Sequence, residues 1–176
     1  LKYTRPFTPP GIPYMSLEYP PVALTSNVTT VSGQSYGNGV YTSGSSSGNG
    51  TEFRAFDKSY ATTTWWQGSA SYDADGLPTN PSSFVIDGLT VPCEWLSIQL
   101  PAPIILQSYM VRAGLPLPAR APASWFVAGS NDGVSWTRVD EEFGVVYDYD
   151  NQEFEFSVRS TVAYSRFAIL VTSKQP

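Results

Sequence analysis

Histidine is absent from this 176-residue sequence, and cysteine occurs once, as Cys93. Without histidine the chain lacks the usual general base near neutral pH and the commonest side-chain ligand of metals. A single cysteine excludes an intrachain disulfide and a zinc site built from several thiolates. No run of about 18 apolar residues occurs, so the sequence predicts no insertion into a membrane.

Charged residues are also scarce, at 14% of the chain, against roughly 25% in a typical globular domain. Serine, threonine, glycine, asparagine and proline take their place, and this composition favours strands and turns over helices. The formal net charge of −5 argues against nucleic acid or an anionic membrane surface as a partner. Apolar residues make up 41% of the chain, enough for one domain with its own core.

The first 22 residues are set apart by their prolines, at positions 6, 9, 10, 13, 20 and 21. Proline has no backbone N–H, so it is excluded from helix interiors and from central strands. We therefore expect residues 1–22 to form an extended arm or linker and residues 23–176 to form the domain. The arm is interpreted either as a plain linker or as a tether that docks on a neighbouring subunit.

Period-two alternation predicts strands in the second half of the chain. In the segment WLSIQL, 95–100, three aliphatic residues share one face of the predicted strand. The segment EFEFSVR, 153–159, alternates in the same way, and RFAILV, 166–171, is apolar on both faces, which indicates a central strand. Many short strands with glycine- or proline-containing turns predict an all-β sandwich or jelly roll.

One turn interrupts the apolar segment 126–139, where Asn131, Asp132 and Gly133 follow one another. These residues suit a β-hairpin, because glycine adopts positive φ without a steric penalty. Trp136 follows at the predicted start of the returning strand. We interpret Trp136 as a core or near-core residue, with contact to a ligand as the alternative.

Five motifs in order carry a resemblance to a known family. They are AFDKSYATTTWW (55–66), EWLSIQLP (94–101), YMVRAG (109–114), PASWFVAGSNDGVSWTRVD (122–140) and YSRFAILV (164–171). In this order they resemble the discoidin-like, coagulation-factor C-type domain over about residues 22–173. The resemblance implies a galactose-binding-like jelly-roll sandwich of two antiparallel sheets. It also implies structural roles for Trp136, Asp132, Gly133 and Arg166.

The stretch YPPVALTSNVTTVSGQSYGNGVYTSGSSS, 19–47, is similar to a pattern in discoidin-like domains of surface or fibre proteins from large DNA viruses. That similarity implies a virion-surface or extracellular location, with neighbouring capsid or fibre proteins as partners. A homo-oligomer would fit this setting, because avidity raises the weak affinity of single sites.

The resemblance also bears on calcium. Members of the family that hold a structural calcium use an Asp in the position of Asp57, nearby carbonyls, a threonine just before the tryptophan and an acid near the C-terminus. Asp57 and Thr63 match this pattern in part, but the ending VTSKQP, 171–176, supplies no acid. We expect no cofactor, and a structural calcium at Asp57 and Thr63 stays open.

Aromatic residues in loop-rich sequence are the candidates for ligand contact. Trp65 and Trp66 are adjacent, so on a strand they would point to opposite faces, one towards the core and one towards a loop. An exposed indole there can stack on a sugar ring at little entropic cost. Tyr36, Tyr60 and Tyr72 are further candidates for a shallow site. In the alternative, both tryptophans are packed within the fold.

No pattern in the sequence assigns catalytic roles. Acidic residues are frequent between positions 141 and 155, but none is placed as a motif for glycoside hydrolysis, and nucleophile elbows and phosphate loops are absent. We therefore predict a non-enzymatic binding module for carbohydrate. Two alternatives stay open, namely a structural capsid or fibre protein and an accessory module of a larger carbohydrate-active enzyme.

Overall fold

The computed structural model describes residues 2–4, 16–61, 65–114 and 120–176, which form strands and one short 3-10 turn. The strands are β1 (Lys2–Thr4), β2 (Ser16–Glu18), β3 (Val28–Val31), β4 (Gly39–Ser45), β5 (Ser82–Ile86), β6 (Leu89–Ile104), β7 (Leu106–Arg112), β8 (Pro122–Ser130), β9 (Thr137–Glu142), β10 (Glu153–Ser157) and β11 (Tyr164–Lys174). The 3-10 turn spans Glu52–Phe56, between β4 and β5. Among these ranges no helix has the length and apolarity required to cross a membrane.

The strands form two sheets. The larger sheet has the order β3-β4-β6-β11-β8-β9, with β5 paired to β6, and the smaller has the order β10-β7-β1-β2. All described pairings are antiparallel. The predicted all-β sandwich of two antiparallel sheets is therefore confirmed.

The alternation in the sequence matches the burial of the strands. Leu96, Ile98 and Leu100 of β6 are buried, and the residues between them are half-buried. Strand β11 lies between β6 and β8, with Phe167 in the core between the sheets and Leu170 in a second cluster on the opposite face of the larger sheet. A strand with both faces covered reads as a continuous apolar run, which confirms the central position predicted for 166–171.

A buried aromatic junction connects the two sheets. Trp125 of β8 is 0% exposed, and its Nε1–H donates to the Tyr109 hydroxyl of β7 at 2.9 Å. The Tyr109 hydroxyl in turn donates to Asp140 Oδ2 of β9 at 2.8 Å. Phe156 of β10 packs on both rings, with centroids 5.1 Å from Trp125 and 5.3 Å from Tyr109. Burial raises the pKa of Tyr109, so its hydroxyl remains a donor.

The hairpin between β8 and β9 has a loop of residues 131–136, longer than a two-residue turn. Asp132 Oδ1 accepts the backbone N–H groups of Val134 and Ser135, each at 2.8 Å, and these bonds hold the pKa of Asp132 well below its usual range. Gly133 has φ +77°, and a Cβ there would lie 3.3 Å from Arg166 Nε. Arg166 Nη1 donates to the Asn131 carbonyl.

Trp136 lies at the end of this loop, one residue before β9. It is half-buried and packs against the second cluster. Its ring meets Phe84 of β5 edge-on, with centroids 5.1 Å apart. The backbone carbonyl of Trp136 accepts the Asp87 N–H at 2.9 Å. Trp136 therefore joins the β5–β6 hairpin to the outer face of the larger sheet.

The described parts of the predicted arm or linker include two strands of the smaller sheet. Strands β1 and β2 pair with each other, and β1 also pairs with β7, so they extend the smaller sheet. Neither strand contains proline, so their backbone N–H groups are available for pairing. Pro6, Pro9, Pro10 and Pro13 lie outside the described residues, and the boundary at residue 22 stays a prediction.

A buried carboxylate attaches the 3-10 turn to β4. Glu52 is 2% exposed, and it accepts hydrogen bonds from Asn27 Nδ2 and, at 2.9 Å, from the Ser45 hydroxyl. Asn27 Oδ1 accepts the Phe53 N–H at 3.0 Å. Burial acts to raise the pKa of Glu52, but hydrogen bonds from its own backbone, Asn27, Ser45 and Gly50 outweigh burial and lower it.

The lowered pKa of Glu52 predicts a specific pH dependence. Its ordinary value is about 4.5, so ionised Glu52 stabilises the fold above that pH, and the contribution is lost as the pH falls through the lower folded-state pKa. We expect Glu52→Gln to reduce the free energy of unfolding at pH 7 by about 1 to 3 kcal/mol. Urea unfolding from pH 7 to pH 3 should show a shallower loss of stability in the variant than in the wild type. Glu141→Gln, at an exposed ion pair with Arg138, is the control, and an unchanged pH slope in Glu52→Gln would contradict the assignment.

The aromatic junction predicts how much stability is lost when the Tyr109 hydroxyl is removed. Tyr109→Phe leaves the buried Trp125 Nε1–H and Asp140 without their shared partner, which should lower the free energy of unfolding by about 1 to 3 kcal/mol. Tyr149→Phe removes the same group from a side chain that is 62% exposed and should change stability by less than about 0.5 kcal/mol. Guanidinium unfolding of the wild type and both variants measures these changes in the free energy of unfolding. Equal changes in the two variants would show that the junction does not stabilise the sandwich.

Candidate binding site

A cavity of about 910 Å³ is lined by residues of both sheets and of the irregular chain beside them. Part of the lining comes from the end of the 3-10 turn, the irregular chain at 57–61 and residues 65–68, 70 and 72, and another part comes from β6, β7 and β11. Its apolar floor includes Leu96, Ile98 and Phe167, of which Ile98 and Phe167 belong to the core cluster that contains Trp125. The volume is within the range of small-molecule sites, about 300 to 1,000 Å³.

Four of the five predicted aromatic residues line this one cavity, namely Trp65, Trp66, Tyr60 and Tyr72. Tyr36 does not; its ring instead meets Tyr19 edge-on at 5.5 Å, and Tyr19 is part of the lining. Both tryptophans are half-buried, which differs from the expectation that one would be core and the other exposed. Residues 65–70 do not form a strand, so adjacent side chains are not directed to opposite faces.

Trp66, one of the lining residues, has an unsatisfied hydrogen-bond donor. Its indole Nε1 is buried and has no hydrogen-bond partner within the described part of the chain. A buried donor without a partner costs about 1 to 3 kcal/mol. Such groups are uncommon in native structures and call for an explanation, such as a water or a ligand. An acceptor on a bound molecule would remove this cost.

Glu94 is the functional candidate that the sequence reasoning missed. It is 3% exposed, lines the cavity, and its Oε2 accepts the hydroxyls of Ser46 and Ser47, each at 3.0 Å. A signal was present, because Glu94 is in phase with the inward-facing Leu96 and Ile98 of the same strand. A carboxylate on the apolar face of a strand is costly to bury without partners.

Two neighbours show how closely the cavity wall approaches this carboxylate. A Cβ added to Gly68 would lie 2.5 Å from Glu94 Oε2, so the absence of a side chain there permits the approach. Burial, together with the charge of Glu94, raises the pKa of Tyr72 to about 12. The Tyr72 hydroxyl therefore stays protonated at neutral pH and can both donate and accept.

An arginine orients Tyr60 at the edge of the cavity. The guanidinium carbon of Arg112 lies 3.9 Å from the Tyr60 ring centroid, and Arg112 Nη2 donates to the Ser59 carbonyl. Arg112 Nη1 also lies 3.4 Å from Glu153 Oε1. These contacts hold Tyr60 against β7, while the residue remains 62% exposed and accessible to a ligand.

Asp57, one of the two predicted calcium ligands, belongs to the lining of the same cavity. Its Oδ1 accepts the Ser59 N–H at 2.8 Å. Thr63 lies outside the described residues. No group of three or more His, Cys, Asp or Glu side chains that could hold a metal occurs in the ranges described. These residues supply one carboxylate already engaged in a local turn, and calcium at Asp57 and Thr63 stays an untested expectation.

Solved structures share this fold. The family 32 carbohydrate-binding module from Clostridium perfringens NanJ, in complex with galactose, matches with a TM-score of 0.50 and 16% identity over 76% of this chain and 83% of that one. CpGH89CBM32-6, produced by Clostridium perfringens, matches with a TM-score of 0.50 and 13% identity over 76% of this chain and 84% of that one. CpGH89CBM32-5 from Clostridium perfringens, in complex with GalNAc-β-1,3-galactose, matches with a TM-score of 0.40 and 8% identity. That match covers 47% of this chain and 56% of the other chain.

No protein-family model and no curated protein matches the sequence. The identities to the NanJ module and to CpGH89CBM32-6 are only 16% and 13%, so this likeness shows a shared fold and nothing further. Family 32 modules are galactose-binding-like, discoidin-like domains, so the fold that the sequence motifs implied is confirmed. The chain has the discoidin-like, galactose-binding-like jelly-roll fold of two antiparallel sheets.

Proposed function

We propose that this chain is a non-catalytic carbohydrate-binding module whose ligand occupies the larger cavity. The observation that carries the proposal is the meeting of Trp65, Trp66, Tyr60 and Tyr72 around one cavity with the buried carboxylate of Glu94. Flat aromatic rings stack on the apolar C–H faces of sugars at little entropic cost. A few fixed polar groups then orient the ligand.

The polar groups of the cavity suit a molecule rich in hydroxyls. Ionised Glu94 is an acceptor only, the indole of Trp66 is a donor only, and the Tyr72 hydroxyl can do both. A sugar hydroxyl both donates and accepts, so it can pair with a donor or with an acceptor of this lining. Each hydrogen bond to the charged Glu94 is worth about 1.5 to 3 kcal/mol.

The charge of the lining favours an uncharged sugar. Acidic and basic side chains are present in equal number among the described lining residues, and the buried Glu94 would repel an anionic ligand. The acids are Glu18, Asp57, Glu94, Glu153 and Glu155, and the bases are Arg54, Lys58, Arg112, Arg120 and Lys174. Several are already paired with each other, including Lys58 with Glu18 and Arg112 with Glu153.

The arrangement of the acids supports binding rather than hydrolysis. Glycoside hydrolysis usually requires two carboxylates that flank the scissile bond, one of them with a raised pKa. Of the other lining acids, Glu18 is paired with Lys58, Glu153 is paired with Arg112, Asp57 accepts a backbone N–H, and Glu155 accepts the Ser108 hydroxyl at 2.7 Å. Each of these described acids therefore already has a structural partner.

Carbohydrate as the ligand class is further supported by the fold. The module from NanJ, which shares this fold, is in complex with galactose. We propose a virion or cell surface as the place of action, and neighbouring capsid or fibre proteins as partners, from the similarity of residues 19–47 to viral surface proteins. Several copies of the module would raise its affinity for a glycan-bearing surface by avidity.

Assembly into a capsid or fibre is the second candidate function. The connection between β9 and β10 exposes the apolar side chains of Phe143, Val146 and Tyr149, and none of them lines the cavity. Contiguous exposed apolar patches are typical of protein contact surfaces, and these three side chains are near one another in the sequence. On this interpretation the fold would serve protein–protein contact.

A comparison of tryptophan variants tests the carbohydrate proposal. The folded chain is screened on a broad glycan array with and without calcium, and the best sugar is then titrated by calorimetry. We expect Trp66→Ala to weaken binding at least tenfold through loss of stacking and a hydrogen bond. Trp66→Phe keeps a ring but loses the N–H donor and should weaken binding about two- to tenfold, equivalent to a hydrogen bond of about 0.5 to 1.5 kcal/mol. Tyr149→Ala, outside the cavity, should bind as the wild type does.

Two results would contradict the proposal. One is silence across the array from a chain that circular dichroism shows to be folded, which would favour the assembly function. The other is a sugar signal that Trp66→Ala and Tyr149→Ala reduce equally, which would move the ligand out of the cavity. A signal that requires calcium would support Asp57 as a metal ligand.

A further inference from the structure

We propose that the site binds an oligosaccharide of at least two units, with Trp65 between the positions of consecutive units. This inference rests on the proposed function and concerns the ligand class of the same site. A second cavity, of about 550 Å³, adjoins the first. Residues Arg54, Trp65, Gln67 and Gly68 line both cavities, so the two cavities adjoin at these residues.

The second cavity is chemically different from the first. Its additional lining residues are Asn49, Thr51 and Ser69, and Trp65 is the aromatic residue in its described lining. The side-chain amide of Gln67 is exposed and makes no hydrogen bond within the described part of the chain. This amide offers two donors and an acceptor, which suits the hydroxyls of a second sugar rather than an apolar group.

The wall of the second cavity is organised without a ligand. Asn49 Nδ2 donates to the Gln67 carbonyl at 2.9 Å, which connects the loop after β4 to the segment that carries Trp65. Asn49 Oδ1 accepts the N–H of Thr51 at 3.1 Å and its hydroxyl at 2.7 Å. A preformed wall lowers the ordering cost of binding.

Trp65 occupies the junction between the two cavities. It is half-buried, and Gly114 supports its ring, since a Cβ on Gly114 would lie 3.7 Å from Trp65 Cγ. The first cavity combines several aromatic rings with the carboxylate of Glu94, and the second offers hydrogen-bonding groups beside Trp65 alone. We infer that the first sugar is stacked and held in the larger cavity, while the next unit contacts Trp65, Gln67 and the polar wall.

Calorimetry with oligosaccharides of increasing length tests this inference. The probes are homologous ladders of one to four units built from galactose, glucose, mannose or N-acetylglucosamine. For at least one ladder we expect the two-unit member to bind at least tenfold more tightly than the single sugar. Ser69→Leu fills the second cavity only and should remove that gain while leaving the affinity for the single sugar unchanged. Ser83→Leu, on exposed β5 outside both cavities, is the matched control and should keep the gain.

The outcomes separate the two proposals. Equal affinity for one and for several units would overturn the inference and leave carbohydrate binding intact. A length dependence that survives in Ser69→Leu would also overturn it, because the second unit would then lie elsewhere. Failure of every ladder with a folded wild-type chain would count against the proposed function itself, and the inference would fall with it. A length dependence lost in Ser69→Leu and kept in Ser83→Leu would support it.

Discussion

The two sheets of this protein are connected by the buried chain of hydrogen bonds from Trp125 through the Tyr109 hydroxyl to Asp140. Trp125 and Asp140 belong to the larger sheet and Tyr109 to the smaller, so this contact fixes how the layers face each other. Tyr109 also lines the binding cavity. The packing that stabilises the sandwich therefore also forms part of the proposed site, and a rigid framework positions it.

Two buried glutamates show how surroundings separate a structural from a functional carboxylate. Glu52 accepts hydrogen bonds on both oxygens, from Asn27 and Ser45, and connects the 3-10 turn to β4 without lining the large cavity. Glu94 receives two hydroxyls on Oε2 and lines the cavity beside Tyr72. Because a buried charge is costly unless its acceptor sites are used, a sugar hydroxyl is a suitable additional partner for Glu94.

Much of the fold could be predicted from local sequence signals. Two sequence patterns predicted which strand residues are buried, namely the period-two alternation at 95–100 and the continuous apolar run at 166–171. They could do so because successive side chains of a strand point to opposite faces. The hairpin at Asn131–Gly133 followed from turn chemistry, although its loop is longer than a two-residue turn. Local signals could not show that β1 pairs with β7 and that β2 pairs with β1, because register between distant strands depends on their neighbours in space.

By itself the sequence determined an all-β sandwich, excluded histidine chemistry and intrachain disulfides, and identified aromatic residues in loops as candidates for ligand contact. Only the tertiary structure decided that Tyr60, Trp65, Trp66 and Tyr72 surround one cavity while Tyr36 does not. The chain around these residues is irregular, so no repeating geometry predicts where their side chains point. Glu94 became a site residue for a similar reason: its strand position implied an inward direction, but the space it faces exists only where two sheets and a loop meet.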